Sequence, residues 1–478
     1  MWRRPGLAAV AACGACLASA VALGSAESAA DLRLLLEEVV VTYVIDPVTG
    51  HKRLWPLDVA DVLGVSAAVL GLIIAAGGGI GGGGMLVPIY VLVMGFQPKY
   101  AIPLSNFTVL GGAVTNVVMN YSKRHATADR SLVDWDLLLL MQPLTIAGAL
   151  AGGFVNKLAP ELLIVVLLVA LLAVTSETTI RKGRSLYAKE TAALRKAGEL
   201  VALGDAAAKA DADAEGEALL GGEAGAKPRL DEAEQVELDA ILAEEREAAP
   251  AWKVGVLLGM CALIIAVNLA KGGGAFPSPL GIECGTGAFW AATLFMFASL
   301  VAIAFSVRAW LVARTAAKDR LGYVYAEGDF HWDARATLKY PGVCFFAGMC
   351  AGLFGIGGGI VNGPLMLQLG VPAGVAAATT ATMILLTAVI AATTFLTFGL
   401  VQADYALRLF AVGVAATAVG QVGMSYVVQK SGRQSYVAFS IGAVVSISTV
   451  LMGFHGLVSL AYPDGGEPQP KGICLSGR

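Results

Sequence analysis

Apolar residues along this chain fall in long blocks that are separated by short polar segments. The blocks are residues 59–76, 85–95, 100–121, 136–155, 161–176, 254–270, 289–310, 340–354, 361–370, 375–400, 405–428 and 436–457. Most approach or exceed the roughly 20 apolar residues that cross the hydrocarbon core of a bilayer as a helix. The pattern predicts an all-α polytopic membrane protein.

Two of the predicted helices are interrupted by glycine-rich turns. The first turn is Gly77 to Gly84, with Ile80 as its one other residue, and the second is Gly355 to Gly359, with Ile356 in the matching place. Glycine is the poorest helix former after proline, so each turn is expected to break a helix at membrane depth. Unwound backbone is tolerated there where it meets protein, water or a ligand, which makes each break a candidate binding element.

Basic loops orient the predicted helices, because Lys and Arg near span ends accumulate on the cytoplasmic side. The basic loops are residues 122–135, 177–196, 311–339 and 429–434. All four lie inside only if each interrupted helix pair returns to the side from which it entered, which leaves three crossings in each half. Three is an odd number, so the sequence predicts two inverted-topology repeats, A (57–176) and B (340–458), with two extra transmembrane helices in 252–310.

The remaining segments complete the predicted organisation. The basic start, the apolar run and the small residues of 1–26 are typical of a secretory signal peptide, although an uncleaved anchor or a transit peptide remains open. Residues 27–56 and the tail 459–478 would then be extracytosolic. Charge and few large apolar residues predict a cytosolic, largely disordered loop at 177–251, with a helical piece from 231 to 247, and a cytosolic linker at 311–339. We expect a multi-pass protein of the plasma membrane or an endomembrane.

Hydroxyl and amide side chains follow each glycine break at the start of the next helix. Donors near a helix N-terminus favour an anion, and glycine turns add backbone N–H groups. The predicted substrate site comprises Gly79, Gly81, Gly82, Gly83, Ser105, Asn106, Thr108, Gly355, Gly357, Gly358, Gly359, Asn362, Thr379, Thr380 and Thr382. The alternative, in which these small residues serve only tight packing between transmembrane helices, stays open.

Several classes of function find no support in the sequence. Ionisable residues lie almost wholly at the span ends, so no proton relay is indicated and the coupling ion is unresolved. The four histidines are scattered, and no nucleophile stands with a base, so we expect no metal, no cofactor and no enzymatic activity. The first glycine run lacks a following GK[ST], and the net charge of −3 does not indicate nucleic acid as a partner.

Two cysteines lie away from the apolar blocks once the leader is set aside. Cys284 falls in the loop between the extra helices and Cys474 in the tail, and the predicted topology places both outside. The secretory lumen permits disulfides, so a bond between these two is a candidate. Two unpaired exterior thiols are the alternative.

Paired motifs resemble the TauE/SafE (sulfite exporter) family, and its larger plant and protist members in particular. The matching features are Gly79 to Gly83 with Pro88, Gly355 to Gly359 with Pro364, Gly95 to Lys99, Asp134 to Leu137 leading to Gln142-Pro143, and Gly370 to Pro372 leading to Ala378 through Thr382. The similarity covers about residues 55–178 and 251–458. One departure is Asn362-Gly363 before the second proline, where the first copy has Leu86-Val87, so the halves are expected to contribute unequally.

The resemblance implies an all-helical transporter that moves sulfur-containing anions such as sulfite, sulfonates or sulfoacetate by alternating access. The function expected from the sequence is therefore secondary transport of a small sulfur-containing anion across a lipid bilayer. Two other functions stay open: a membrane scaffold or receptor that acts through the 177–251 loop, and an anion channel. Substrate varies within families that share one fold.

Overall fold

The fold is helical throughout the part of the chain that can be described. A computed structural model describes residues 54, 57–76, 82–125, 129–210, 231–273, 275–323, 325, 332, 336–368, 370–431 and 435–461. Within those residues the secondary structure consists of thirteen helices and one isolated β-bridge, which confirms the predicted all-α class. The predicted signal peptide, nearly all of 27–56 and most of the tail lie outside the described residues.

The helices follow the predicted apolar blocks. The first half contains α1 (Val59–Ala76), α2 (Gly83–Leu92), α3 (Pro98–Asn120), α4 (Trp135–Leu158) and α5 (Glu161–Ala210). Next come α6 (Glu232–Arg246), α7 (Ala251–Lys271) and α8 (Gly287–Arg320). The second half contains α9 (Ala336–Phe354), α10 (Gly359–Gln368), α11 (Ala373–Thr397), α12 (Ala403–Ser431) and α13 (Ser435–Ala461). Among the described residues, nine helices are long and apolar enough to cross a membrane.

Helix α5 continues well beyond the predicted boundary at Ser176. It runs to Ala210, so residues 177–210 of the loop expected to be disordered are helical instead, whereas α6 (Glu232–Arg246) confirms the helical piece predicted from 231 to 247. The residues involved are mainly Ala, Leu, Glu, Lys and Arg, which are strong helix formers. An existing helix also extends without a new nucleation cost. Residues 211–230 lie outside the described part.

Helices α1 and α2 form a hairpin that enters and leaves at the same end of the molecule. Gly64 lies against Met94, and Gly71 lies against Met85, so α2 runs back along α1. Helix α2 has only 10 residues. At about 1.5 Å per residue it covers roughly half of a bilayer core. Helix α10 is equally short, and it follows α9 through the second glycine turn.

The two halves pack on each other through reciprocal helix pairs. Helix α12 packs on α1 and α3, while α9 and α11 pack on α4. Close approach is made possible by Gly148 and Gly152 of α4, which face Gly348 and Gly352 of α9: a Cβ at Gly348 would lie 1.9 Å from the carbonyl oxygen of Thr145. Small residues four apart are typical of such contacts in membranes. The extra helices α7 and α8 cover α11 and α4 from outside.

Contacts near the helix ends define two ends of the bundle. At the basic end, Arg124 donates to the carbonyl oxygen of Arg246, and Lys318 pairs with Glu245. At the far end, the Tyr405 hydroxyl lies 2.9 Å from a carboxylate oxygen of Asp61. The basic end thus gathers residues 121–125, 129–134, 246–253 and 311–323, and the far end gathers 57–61, 93–98, 157–161, 271–286 and 397–405.

The described cysteines differ in their bonding. Cys284, at the far end, is disulfide-bonded. The partner predicted for it, Cys474, lies outside the described residues. Cys261, Cys344 and Cys350 are free thiols within helices.

Candidate anion-binding site

The two glycine breaks meet inside the molecule. Gly82 adopts a left-handed conformation with φ 69°, and Gly83 begins α2. A Cβ at Gly83 would lie 2.5 Å from the Cα of Ile356, which shows direct backbone contact between the two breaks. The predicted site residues Gly79 and Gly81 lie outside the described part of the chain.

The second break is built from left-handed glycines. Gly355, Gly357 and Gly358 have φ values of 65°, 69° and 73°, conformations that residues with a side chain rarely adopt. A Cβ at Gly355 would lie 2.3 Å from the carbonyl oxygen of Ile102, so this break packs directly on α3. At Gly358 the nearest atom would be 3.4 Å away, and there the constraint is conformation rather than space.

Two helix N-termini point into the place where the breaks meet. Helix α2 begins at Gly83, and α10 begins at Gly359. The first amide N–H groups of a helix have no acceptor in their own helix, and the helix dipole is positive at that end. The paired N-termini therefore favour a negative charge between them.

The hydroxyl and amide side chains predicted in the first half bind protein groups. The Ser105 hydroxyl donates to the carbonyl oxygen of Gly355 at 3.1 Å, and the Asn106 amide donates to Ala388 at 3.0 Å. Thr108 donates within its own helix and lies 2.7 Å from the Tyr90 hydroxyl. Ser105 thus holds the second break in place, so the donors left to an anion are chiefly backbone N–H groups.

The predicted residues of the second half are similarly engaged. The Thr379 hydroxyl accepts from the backbone N–H of Asp134 at 3.0 Å. Thr380 contacts the sulfur of Met366, and Thr382 donates to Ala378 one turn earlier. Thr379 therefore ties α11 to α4 near the basic end, whereas Ser105 ties α3 to the second break.

Two buried amide oxygens near the breaks have no hydrogen-bond partner among the described residues. They are Asn106 Oδ1 and Asn362 Oδ1. Buried polar atoms are rarely left unsatisfied, and an acceptor of this kind suits a water or a protonated ligand oxygen. At the site, these two amide oxygens are therefore side-chain acceptors that a ligand or a water can use.

One glutamine braces the first break and another joins two helices, contacts that the sequence did not reveal. Gln421 of α12 donates to the carbonyl oxygen of Ala76, the last residue of α1, at 2.9 Å and to Asn116 at 2.8 Å. Gln142 of α4 donates to Met383 and Thr387 of α11. Each half thereby supplies a glutamine to the other half. The sequence feature that could have pointed to these contacts is a single glutamine within an otherwise apolar helix.

A cavity of about 70 Å³ lies at the basic end, lined by charged side chains. Burial raises the pKa of the Asp134 carboxyl, and the neighbouring Asp136 carboxylate raises it further. Burial opposes ionisation of Glu244 too, but the hydrogen bond and charge of Lys253, with Arg314, bring its pKa below the ordinary 4.5. Among the described residues, no three His, Cys, Asp or Glu side chains form a metal-ion group.

Comparison with known proteins identifies the family. The profile described as "Sulfite exporter TauE/SafE" matches residues 63–209 and 238–452, which is most of the chain. The chain belongs to the TauE/SafE family. It is 30% identical over 413 residues to "Sulfite exporter TauE/SafE family protein 5" of Arabidopsis thaliana, a match covering 84% of this chain and 85% of that protein.

Further relatives agree with this membership. Family protein 3 of Arabidopsis thaliana is 27% identical over 420 residues, covering 86% of this chain and 82% of the relative. Family protein 1 of the same plant is 30% identical over 417 residues, covering 84% of each chain. No solved structure matches. The TauE/SafE chain is thus a multi-pass membrane protein of a transporter family, as its motifs predicted.

Proposed function

We propose that this TauE/SafE protein is a secondary transporter that moves a small sulfur-containing anion across the membrane by alternating access. The observation that carries the proposal is the contact between the two breaks, where α2 and α10 both begin. Two positive helix ends at one buried point favour a negatively charged ligand, and they do so without a buried cation. Sulfite, a sulfonate or sulfoacetate are the candidate substrates.

The mechanism that we infer is a rocking motion of two inverted halves. Reciprocal pairing of α1 with α12 and of α9 with α4 supports it, because each half grips the other through equivalent helices. Motion between the halves would open the breaks first to one end of the bundle and then to the other. The binding determinants stay fixed on the short helices α2 and α10. We propose no chemical conversion of the substrate.

The polar groups at the breaks suit an anion that carries a proton or a hydroxyl. Backbone N–H groups donate to its charged oxygens, while Asn106 Oδ1 and Asn362 Oδ1 accept from its O–H or from bound water. Such a site would prefer a hydrogen-bonding oxyanion to chloride. The preference follows from neutral donors and acceptors rather than from charge pairs.

Flux measurements in proteoliposomes test the proposal. Sulfite, sulfate, thiosulfate and taurine are offered separately, and saturable uptake of at least one sulfur-containing anion is expected. Flux that never saturates would indicate a channel instead. Transport that survives deletion of residues 198–247 would argue against a scaffold acting through that segment, and absence of flux for all four compounds would contradict the proposal.

A further inference from the structure

Two consecutive carboxylates of α6 are held by donors from elsewhere in the protein, and Trp252 Nε1 adds a third donor to Glu244 at 3.3 Å. Glu244 Oε1 lies 2.7 Å from Lys253 Nζ, and its Oε2 lies 2.8 Å from Arg314 Nη1. Glu245 Oε1 lies 2.6 Å from Lys318 Nζ, and its Oε2 accepts from the Tyr323 hydroxyl at 2.6 Å. Three of the four oxygens thus face a cation and the fourth a hydroxyl, which is an arrangement by which proteins bind a free oxyanion.

The donors belong to the membrane-spanning body and not to α6. Lys253 lies at the start of α7, and Arg314 and Lys318 lie near the end of α8. We call these residues, with Tyr323, the basic cradle. The cradle would therefore persist if α6 moved away, with Asp136 of α4 still paired to Lys253 at 2.6 Å.

Charge balance around the cavity depends on α6. The body lines it with four basic residues, Arg130, Lys253, Arg314 and Lys318, and with two acidic residues, Asp134 and Asp136, an excess of two positive charges. Glu244 and Glu245 cancel that excess. Without α6, the cavity would be a buried positive site, which attracts a dianion or two monoanions.

Spare hydrogen-bonding capacity and space accompany the carboxylates. Arg314 Nε and Nη2 are buried and have no hydrogen-bond partner among the described residues, although Nε lies 3.7 Å from Asp136 Oδ2, and the Arg314 side chain is only 10% exposed. The cavity of about 70 Å³ adjoins them. Asp134, in its wall, donates its backbone N–H to the Thr379 hydroxyl of α11. The cavity therefore adjoins the helix that carries three of the predicted site residues.

Helix α6 is attached mainly by charge. Ile241 is the one residue of α6 that is buried, while Glu237 pairs with Arg320 at the surface. The Glu237–Arg320 pair is exposed, so it is weak and screened by salt, whereas the pairs of Glu244 and Glu245 are largely buried and need a competing anion to replace the carboxylates. Residues 247–250 connect α6 directly to α7, so a displaced α6 would remain at high effective concentration near the cradle.

We propose that α6 is a tethered anionic plug, and that the basic cradle beneath it is a second anion site at the entrance from the basic end. A small free oxyanion of the sulfite, sulfate or sulfonate type binds the cradle when Glu244 and Glu245 leave. This inference rests on the proposed function, because it makes the cradle the first stop of an anion on its way to the breaks. Binding of the anion and release of α6 are then linked.

Hydrogen exchange of the α6 amides tests the plug with full-length protein in detergent. Sodium sulfite and sodium sulfate are each titrated against sodium chloride at equal ionic strength. The oxyanions are expected to speed exchange of residues 232–246 beyond the effect of chloride. In Glu244→Gln/Glu245→Gln the plug competes less, so the half-saturating oxyanion concentration in a thermal-shift titration should fall about tenfold or more.

A matched variant distinguishes the loss of the two cradle carboxylates from a general loss of negative charge on α6. Glu232→Gln/Asp239→Asn also removes two negative charges from α6, but neither residue lines the cavity. Its half-saturating oxyanion concentration should equal that of the wild type. Exchange of α6 that responds no more to oxyanions than to chloride would overturn the inference. So would identical half-saturating concentrations in the two double variants.

A reversible lock provides a second test that does not weaken the cradle. Arg320 Nη2 and Glu237 Oε2 form a surface pair 2.7 Å apart at the tips of two long side chains, so Glu237→Cys/Arg320→Cys can be bridged by a bis-maleimide crosslinker with a reducible disulfide spacer. The crosslinked protein should lose the oxyanion response, and reduction of the spacer should restore it; a full response while crosslinked overturns the plug. If α6 responds but proteoliposomes carry no sulfur anion, the proposed function fails and the plug stands.

Comparing neutral bilayers with bilayers that contain phosphatidylglycerol distinguishes a free anion from a lipid headgroup. Displacement of α6 by sulfite in neutral bilayers supports the free anion. Displacement by phosphatidylglycerol alone, with no effect of sulfite, overturns it.

Discussion

At the scale of single residues, Gly358 is constrained by conformation rather than by space. Its φ of 73° would strain any residue with a Cβ, at about 1–2 kcal/mol. We expect Gly358→Ala to lower the initial rate of sulfur-anion uptake about tenfold, because the break would shift relative to the start of α10. Uptake into proteoliposomes at matched protein density measures the effect.

Gly370→Ala is the matched control for this change. Gly370 has a φ of 87°, and no atom would lie within 4 Å of its Cβ, so the substitution brings comparable strain at a site away from the breaks. It should lower stability about as much as Gly358→Ala while preserving uptake. Equal uptake in the two variants would show that transport does not depend on the conformation of Gly358.

Ser105 offers a second test at the residue scale. Its hydroxyl donates to the buried carbonyl oxygen of Gly355, so Ser105→Ala leaves that oxygen unsatisfied, at about 1–3 kcal/mol. We expect a lower affinity for the transported anion, because the second break would shift when it loses this hydrogen bond. The half-saturation constant of uptake checks it, with Ser299→Ala as the control, since that hydroxyl donates to Met296 O within α8. An unchanged constant would mean that the second break does not depend on Ser105.

Residue types near the breaks were predictable from sequence, but their partners were not. The polar cluster at Ser105 and Thr379 stood out because hydroxyls are conspicuous in apolar blocks. Their contacts with Gly355 and Asp134 join residues 250 and 245 positions apart. Such pairings depend on how the halves pack, which no local pattern encodes. Direct binding of substrate by these side chains stays a prediction.

At the scale of helices, contact between α4 and α9 depends on glycines that face each other. A Cβ at Gly348 would lie 1.9 Å from Thr145 O, which is backbone and cannot turn aside. We expect Gly348→Leu to cost more than the roughly 1–3 kcal/mol of ordinary overpacking. The yield of monodisperse protein after detergent extraction should fall sharply.

Gly259→Leu on α7 is the corresponding control, because no atom lies within 4 Å of a Cβ there. This variant should be recovered like the wild type. Normal recovery of Gly348→Leu would show that α4 and α9 can separate without loss of the fold.

Helix positions followed from hydrophobic pattern, whereas helix lengths did not. The bounds of α1 agree with the predicted apolar block, since Pro56 precedes it and glycines follow. By contrast, α5 and α8 extend past their apolar parts into charged sequence, to Ala210 and Arg320. Hydropathy marks where a helix meets lipid, but a helix in water ends where caps and helix formers run out.

At the scale of the whole molecule, the two ends of the bundle lie in different compartments if the protein spans the membrane as proposed. Basic residues gather at one end and the disulfide-bonded Cys284 lies at the other. Excess Lys and Arg favour the cytosol, and disulfides favour an oxidising compartment. Charge and redox chemistry thus orient the protein in the same direction.

The final prediction concerns the partner of Cys284. If it is Cys474, then Cys284→Ser frees the Cys474 thiol, which should react with a membrane-impermeant maleimide on intact cells without reductant when the far end is outside. Wild-type protein should react only after reduction, and Cys284→Ser/Cys474→Ser should not react in either condition. Reaction of Cys284→Ser only after permeabilisation would reverse the topology. Unchanged reactivity of Cys474 in that variant would show that Cys284 pairs elsewhere.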